Sequence, residues 1–256
     1  MKISAALFYF SFVVACSTPG LAHSCPHGRG NSQCEESPIN VRLPPTINPH
    51  PESSRSWVAS PAGWFYGHWG VTSSSQPLYQ PLQNFQYDGS PVFPQSHDLP
   101  GQMNDLSSFQ LPNTTTVSTL YGIDTPRRSN DKSLGSEWND VYDFVGTGAL
   151  SKMNMTWSVL AWGYDSCNNG YMLLYEPPVA SSGASAGLDI LSRVYSGISL
   201  ETQTKLLSEI RKLNNKDLSD LVSQIVPLIQ NGARDGMPPV VCDAACMNNT
   251  GAYTQV

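Results

Sequence analysis

The chain has 256 residues, of which only 13% are charged, and its 14 basic and 20 acidic side chains give a formal net charge of −6. This length suits one all-β domain with appendages better than two full domains. The scarcity of basic residues argues against a nucleic-acid-binding stripe and against a polybasic membrane-binding patch.

The N-terminus has the pattern of a secretory signal peptide, which we place at residues 1–22. Met1 and Lys2 precede an apolar run over 3–14, and the small residues Gly20 and Ala22 stand before a cleavage point at His23. The run is too short to span a bilayer, and no later segment is apolar enough. We therefore expect a product without an integral membrane segment, secreted or in the lumen of the secretory pathway. Three glycosylation sequons agree with this route, at Asn113, Asn154 and Asn248.

Five cysteines remain after the signal peptide, and an oxidising compartment favours disulfides: Cys25, Cys34, Cys167, Cys242 and Cys246. One arrangement pairs Cys25 with Cys34, and Cys167 with Cys242 or Cys246. The other joins both N-terminal cysteines to both C-terminal ones and leaves Cys167 free. A zinc site at His23, Cys25, His27 and Cys34 has suitable ligand types but irregular spacing. We predict no metal and no cofactor.

The first half of the mature chain is predicted as an arm followed by strands. Residues 23–61 are rich in Pro and Ser without a period, which predicts an irregular arm with a short cysteine loop. A barrel is predicted over 62–196. Its first strands are expected at 64–72 and around 85–87, followed by a turn at Asp88 and Gly89. Residues 90–111 carry mostly turn signals, and further strands are predicted at 114–123 and 141–145.

The second half contains a clear hairpin and then changes period. Alternating residues at 155–162 and 170–175 flank a turn at 165–170, and a last strand is predicted at 188–194. Residues 197–232 predict two amphipathic helices packed on the barrel, the first capped by Ser199 and the second starting near Asp217. Pro227 kinks or ends the second helix. Residues 233–256 are predicted as an irregular tail that contains two cysteines.

Two distant segments predict how the barrel closes. Gly67-His68-Trp69 opens the first strand, and Arg193 ends the last one. We predict that Trp69 plugs the floor of the barrel and that Arg193 lies across its ring. The ligand then enters at the opposite end, near the loop at 76–84.

These segments resemble the lipocalin (calycin) family. The matching residues are Gly67-His68-Trp69-Gly70-Val71-Thr72-Ser73 with Gln76-Pro77-Leu78-Tyr79, and the block from Trp157 through Tyr171, Tyr175 and Arg193 into the following helix. They are most similar to the lipocalin-type domain of violaxanthin de-epoxidases, over about residues 64–213. The resemblance implies an all-β fold with C-terminal helices, whose core is an eight-stranded antiparallel up-and-down barrel.

One departure from that family concerns its chemistry. De-epoxidases carry acidic residues where this chain has Gln80 and Gln83. A glutamine cannot exchange a proton near neutral pH, so a de-epoxidase-like enzyme is an outside alternative.

Aromatic side chains on the predicted strands are the candidate ligand-binding residues. Barrels of this size hold one apolar ligand among such side chains, although the same residues can simply fill a core. The candidates are Tyr79, Tyr87, Tyr142, Trp157, Trp162, Tyr171 and Tyr175.

Catalytic motifs are scarce in the sequence. It has no nucleophile elbow, phosphate-binding loop, His-Glu-x-x-His or dinucleotide fingerprint. Asp143, Tyr171 and Glu176 are weak candidates for catalysis, whereas Asp165 is predicted in a turn and Asp189 facing solvent.

Two functions follow, and the sequence does not choose between them. The first is a secreted carrier that binds a hydrophobic small molecule in its barrel. The second is a cofactor-free isomerase or cyclase that acts on a hydrophobic secondary metabolite in the same cavity. A surface protein with a filled barrel is a third interpretation. The sequence leaves the ligand and the oligomeric state open.

Overall fold

The computed structural model of the chain describes residues 38–47, 57–95, 101–180 and 183–254. The predicted signal peptide, the predicted Cys25–Cys34 loop and the candidate zinc ligands lie outside the described residues. Within the described ranges, no helix combines the length and the apolar character needed to cross a bilayer.

Eight antiparallel strands form the body of the molecule. Each strand pairs with its neighbours in sequence, β4 pairs with β5, and β8 pairs with β1, so the sheet closes on itself. This strand order is the predicted lipocalin-like up-and-down barrel, and the predicted fold class is confirmed. The strands are β1 (Gly67–Ser74), β2 (Gln83–Pro91), β3 (Met103–Gln110), β4 (Thr116–Pro126), β5 (Val141–Gly146), β6 (Asn154–Tyr164), β7 (Gly170–Glu176) and β8 (Gly187–Ser192).

Short helices and strands surround the barrel. Between β4 and β5 lie α1 (Arg127–Asn130) and a 3-10 turn (Ser136–Trp138), and between β5 and β6 lies another 3-10 turn (Gly148–Leu150). After β8 come α2 (Leu200–Arg211), α3 (Lys216–Gln224), β9 (Val226–Pro227), α4 (Ala244–Met247) and β10 (Ala252–Thr254). The predicted cap of the first long helix is present, because the Ser199 side chain accepts a hydrogen bond from the Thr202 amide.

Alternation along the strands separates an inner from an outer core. On β7, Met172 and Leu174 belong to the cluster inside the barrel, whereas Tyr171, Leu173 and Tyr175 belong to a second cluster outside it. This is the period of two that any pleated strand imposes. Helices α2 and α3 cover the outer cluster with four buried side chains: Leu206, Ile210, Leu218 and Val222.

The floor of the barrel is closed by Trp69 and Arg193. Trp69 is fully buried, and the Arg193 guanidinium carbon lies 3.7 Å from the centroid of the Trp69 ring. The guanidinium also donates hydrogen bonds to the carbonyl oxygens of Trp64, Tyr66 and His68. Each partner lies more than 120 residues from Arg193, so this single side chain ties the start of β1 to the end of β8.

One predicted turn is wrong, because Asp88 and Gly89 lie inside β2. A Cβ at Gly89 would lie 2.5 Å from the carbonyl oxygen of Phe65, so the glycine permits a close crossing of two backbones. The turn-like assignment of 90–111 is also wrong in part, because β3 occupies its second half. The inward residues of β3 include Asp105 and Ser107, which hide the apolar alternation of a strand.

A segment that follows α3 fills a gap beside β1. Here Val226 and Pro227 of β9 pair with Ser74 and Ser73 of β1. The next residue, Leu228, is buried in the inner cluster. On the other side of the segment, the amide of Asn84 donates to the carbonyl of Ile229. The chain after the helices thus completes the wall near the mouth.

The C-terminal tail is more ordered than predicted. It contains α4, and β10 adds to the free edge of β4. The backbone amide of Tyr121 donates a hydrogen bond to Asn249 Oδ1, and Asn249 Nδ2 donates one to the Tyr121 carbonyl. These two hydrogen bonds hold the tail on β4.

Both predicted disulfide arrangements are wrong for the tail. Cys242 and Cys246 are bonded to each other, with their Cα atoms 5.2 Å apart. Four residues of separation across the start of α4 bring them within the range that a disulfide needs. Cys167 is disulfide-bonded as well, so it is not the free cysteine of the second arrangement.

Part of the predicted arm packs on the barrel. The backbone amide of Arg42 donates to the carbonyl of Leu160, and its Nε donates to the carbonyl of Val159, both on β6. The Arg42 side chain is buried, and its guanidinium carbon lies 3.9 Å from the centroid of the Trp57 ring. Burial lowers the pKa of Arg42 to about 9.

Candidate functional site

The inside of the barrel holds a cavity of about 70 Å³ above the Trp69 floor. That is room for about five water molecules, or for the end group of a larger molecule. Tyr79, Met153 and Glu176 line the cavity and stay partly exposed, which places its open side at the mouth. Its apolar wall is largely aromatic: Tyr79, Phe85, Tyr87, Phe144 and Trp157.

Three of the seven predicted ligand-binding aromatics line this cavity, namely Tyr79, Tyr87 and Trp157. Tyr142 lies next to the site, since its ring stacks on Trp157 with centroids 4.6 Å apart. Trp162 is elsewhere: its indole donates to the carbonyl of Val58 near the floor. Trp162 therefore does not line this cavity.

Tyr171 and Tyr175 do not line the cavity either. Both belong to the outer cluster under α2 and α3. They alternate with Met172 and Leu174, which face inward. Because one step along a strand reverses the face, the aromatic character of β7 marked the outer core and not the ligand side.

Of the three catalytic candidates, only Glu176 lines the cavity. Asp143 points outward, where it accepts hydrogen bonds from Arg127 at 2.7 Å and Thr156 at 2.6 Å. Tyr171 lies in the outer cluster. Asp143 and Tyr171 therefore do not line the cavity.

The most unusual feature of the interior is a set of buried carboxyl groups, which was not predicted from the sequence. Asp105 and Asp189 line the cavity together with Glu176, and Asp124 is fully buried behind it. Asp189, predicted to face solvent, is only 2% exposed. The alternation of side chains along a strand could have indicated their position. Asp105 lies two residues from the inward-facing Met103, and Asp189 lies two residues from the inward-facing Leu191.

Near the mouth, Glu176 forms a pair with Tyr79. The Tyr79 hydroxyl donates to Glu176 Oε2 at 3.0 Å. Burial raises the pKa of Glu176 to about 7, although the Tyr79 hydrogen bond opposes the rise. Burial, and then the charge of Glu176, raises the pKa of the neighbouring Asp189 well above its usual value.

Deeper in the barrel, Asp105 and Asp124 form a second pair. Burial raises the pKa of Asp105 to about 7. Burial and the nearby Asp105 raise the pKa of Asp124 well above its usual value, and the Trp157 indole opposes this by donating to Asp124 Oδ1 at 2.8 Å. Aspartate at both positions costs folding free energy, because buried carboxyl groups lose their hydration.

This arrangement can exchange protons near neutral pH. A carboxyl group with a pKa near 7 is present as acid and as base in similar amounts, which suits general acid–base chemistry. The residues that line the cavity include no lysine, arginine or histidine. Among the described residues, no group of three or more His, Cys, Asp or Glu side chains is placed to hold a metal ion.

Gln80 and Gln83 do not line the cavity. Gln80 is exposed, and the side chain of Gln83 accepts a hydrogen bond from Asn231. The carboxyl groups that do line the cavity are those of Asp105, Glu176 and Asp189.

Comparison with known proteins gives one relative in sequence. No protein-family model matches the chain. The chain is 28% identical over 221 residues to botcinic acid biosynthesis cluster B protein 12 of Botryotinia fuckeliana (strain B05.10), a match that covers 85% of this chain and 94% of the relative.

Solved structures with similar barrels share little sequence with the chain. Insecticyanin from the tobacco hornworm Manduca sexta aligns with a TM-score of 0.47 and 16% identity, over 71% of this chain and 87% of that one. H1 crustacyanin from the lobster Homarus americanus aligns with a TM-score of 0.46 and 11% identity, over 76% and 90%. The order of β1 to β8 by itself establishes the lipocalin-like barrel.

Proposed function

We propose that the barrel binds a small organic molecule with a mainly apolar body and that this molecule belongs to secondary metabolism. The observation that carries the proposal is the cavity, which has a closed floor, an open side and a wall of five aromatic rings. Burying apolar ligand surface against such a wall contributes about 25 cal/mol per Å². The link to secondary metabolism is supported by the name of the Botryotinia relative.

Native mass spectrometry of the protein purified from its own source tests the binding proposal. We expect a bound small molecule that is lost when the protein is denatured. Released ligand added back to the empty protein should quench the fluorescence of Trp157, and Trp157→Phe should remove most of that change. A native protein without ligand, together with no response to apolar probes, would show a filled barrel and overturn the proposal.

A second candidate function is a cofactor-independent isomerase or cyclase. The observation that favours it is the pair of Tyr79 and Glu176 at the cavity, with Asp189 beside them. A neutral carboxyl group can donate a proton to a substrate oxygen while an ionised neighbour removes one from carbon, so the substrate is rearranged without net oxidation. The barrel would add the effect of holding the substrate in a reactive shape.

Turnover of the released ligand, or of its biosynthetic precursor, separates the two functions. We expect Glu176→Gln and Tyr79→Phe to lower the rate of an isomerase at least 100-fold, the usual contribution of a positioned acid or base. Asp143→Asn is the matched control, because Asp143 lies on the outer face. A ligand that always returns unchanged supports the carrier.

We infer further that the protein is exported. The Cys242–Cys246 disulfide supports this, as do three exposed asparagines in sequons: Asn113, Asn154 and Asn248.

A further inference from the structure

We propose that the molecule bound in the barrel carries a basic nitrogen, such as an alkylammonium group, and that Asp105, Glu176 and Asp189 hold this group against the aromatic wall. The inference rests on the proposed ligand-binding function. It adds the chemical class of the buried end of the ligand.

The charges around the cavity are of one sign. Asp105 of β3, Glu176 of β7 and Asp189 of β8 line it, and Asp124 of β4 lies behind Asp105. The other titratable groups that face these acids are the phenols of Tyr79 and Tyr87, and the phenol of Tyr142 lies near Asp124. No lysine, arginine or histidine is among the lining residues. A neutral apolar ligand does nothing to offset the free-energy cost of removing water from these acids. A cation offsets that cost because it attracts their ionised form.

Asp189 supplies an independent indication of a ligand. It lines the cavity and is 2% exposed, yet its Oδ1 atom has no hydrogen-bond partner among the described residues. Buried carboxyl oxygens in folded proteins nearly always have a partner. A bound ammonium group would place an N–H donor or a polarised N–CH₃ group at this oxygen.

The aromatic wall suits the same group. Tyr79 and Phe85 meet edge to face with centroids 4.9 Å apart, and Tyr87 and Trp157 line the same cavity. Ring faces attract cations, and cages of aromatic rings recognise quaternary ammonium groups. Rings together with carboxylates favour a cation over an uncharged group of equal shape.

Binding of a cation is coupled to proton release. In the empty barrel, burial keeps a large share of Asp105 and Glu176 protonated up to about pH 7. A permanent positive charge nearby favours their ionised form and so lowers their pKa. The affinity for a cation should therefore rise as the pH increases from 6 to 8, whereas the affinity for an uncharged molecule should not.

Choline and its uncharged carbon analogue 3,3-dimethylbutan-1-ol test the inference, because they have the same shape and the charge of choline does not depend on pH. The NMR signal of the Trp157 indole N–H reports binding inside the barrel. For the full chain, we expect choline to bind at least tenfold more tightly than the alcohol at pH 8, and we expect that advantage to fall at least threefold at pH 6.

Variants locate the effect. Asp189→Asn and Glu176→Gln should each weaken choline binding at least fivefold, while the affinity for the alcohol changes less than twofold. Asp143→Asn should change neither affinity. Binding of the alcohol shows that each variant is folded. Equal affinity for the two probes would contradict the proposal that the ligand carries a basic nitrogen. The proposed ligand-binding function would still stand. If neither probe, nor any apolar probe, shifts the Trp157 signal, both are wrong.

Discussion

Asp143 and Asp189 have the same side chain and opposite environments. Asp143 faces outward on β5 and pairs with Arg127, whereas Asp189 faces inward on β8 with a raised pKa. Nothing in the immediate sequence of either residue distinguishes them. The face of the strand decides whether a carboxyl group lies at the surface beside a cation or is buried with a raised pKa.

At the residue scale, the buried acids predict that stability falls as the pH rises. Their pKa values are raised in the folded state, to about 7 for Asp105 and Glu176. Between about pH 4.5 and 7 the unfolded chain ionises these groups while the folded barrel keeps them protonated, so each costs about 1.4 kcal/mol per pH unit. Urea unfolding of the empty protein at pH 5, 6, 7 and 8 measures this slope.

Asp105→Asn should reduce that slope and raise the free energy of unfolding at pH 7, because the variant has no carboxyl group that must take up a proton on folding. Asp143→Asn serves as the control and should keep the slope of the parent protein. A slope unaffected by Asp105→Asn would show that the Asp105 carboxyl is not held neutral in the fold.

A second prediction concerns the floor. Arg193→Lys keeps the charge but removes the planar fork that bonds three carbonyl groups over Trp69. We expect a loss of about 1–3 kcal/mol in the free energy of unfolding, measured in urea. Arg211→Lys on α2 should cost less than about 0.5 kcal/mol. Equal effects of the two changes would contradict the structural role of Arg193.

At the element scale, α2 and α3 stabilise the barrel from outside. Leu206 and Leu218 are fully buried in the outer cluster with Leu173 of β7. The helices therefore cover a wall of the barrel and not its mouth. Their contribution to stability is separable from ligand binding.

Leu206→Ala tests that separation. We expect a loss of about 2–5 kcal/mol in stability, as for other large-to-small changes in a core. The affinity for an apolar probe, measured by Trp157 fluorescence at a temperature where the variant is folded, should change less than twofold. A large loss of affinity in the folded variant would show that α2 shapes the cavity.

The C-terminal segments show how elements of little individual strength act together. β9 completes the wall beside β1, β10 adds to β4, and α4 is tied by the Cys242–Cys246 bond. Two- and three-residue strands have no stability of their own. They form here because the closed barrel presents backbone groups that need partners.

At the scale of the whole molecule, export predicts a glycosylated product. Expression of the full chain in a yeast secretory host should give a soluble protein whose mass falls after enzymatic removal of N-glycans. Each replacement of a glycosylated asparagine by glutamine should lower the mass of the secreted protein by one glycan. The three positions to replace are Asn113, Asn154 and Asn248. Retention inside the cell without glycans would contradict export.

The architecture was predictable to a large extent, and the site much less so. The hairpin of β6 and β7, the last strand and both long helices follow from period and caps. By contrast, β3 was missed because Asp105 and Ser107 occupy inward positions where a core strand usually has apolar residues. The residues that disguise the strand are the ones that line the cavity.

By itself, the sequence determined the class of the fold, because alternation, turn residues and the Trp69 and Arg193 segments are local patterns that can be recognised without coordinates. Only the tertiary structure decided which face of each strand is inside. That choice placed Asp105, Asp124, Glu176 and Asp189 together from four different strands and put Tyr171 and Tyr175 outside. Closure of the barrel brings these distant residues together and removes water from them, and the loss of water gives their carboxyl groups the raised pKa values.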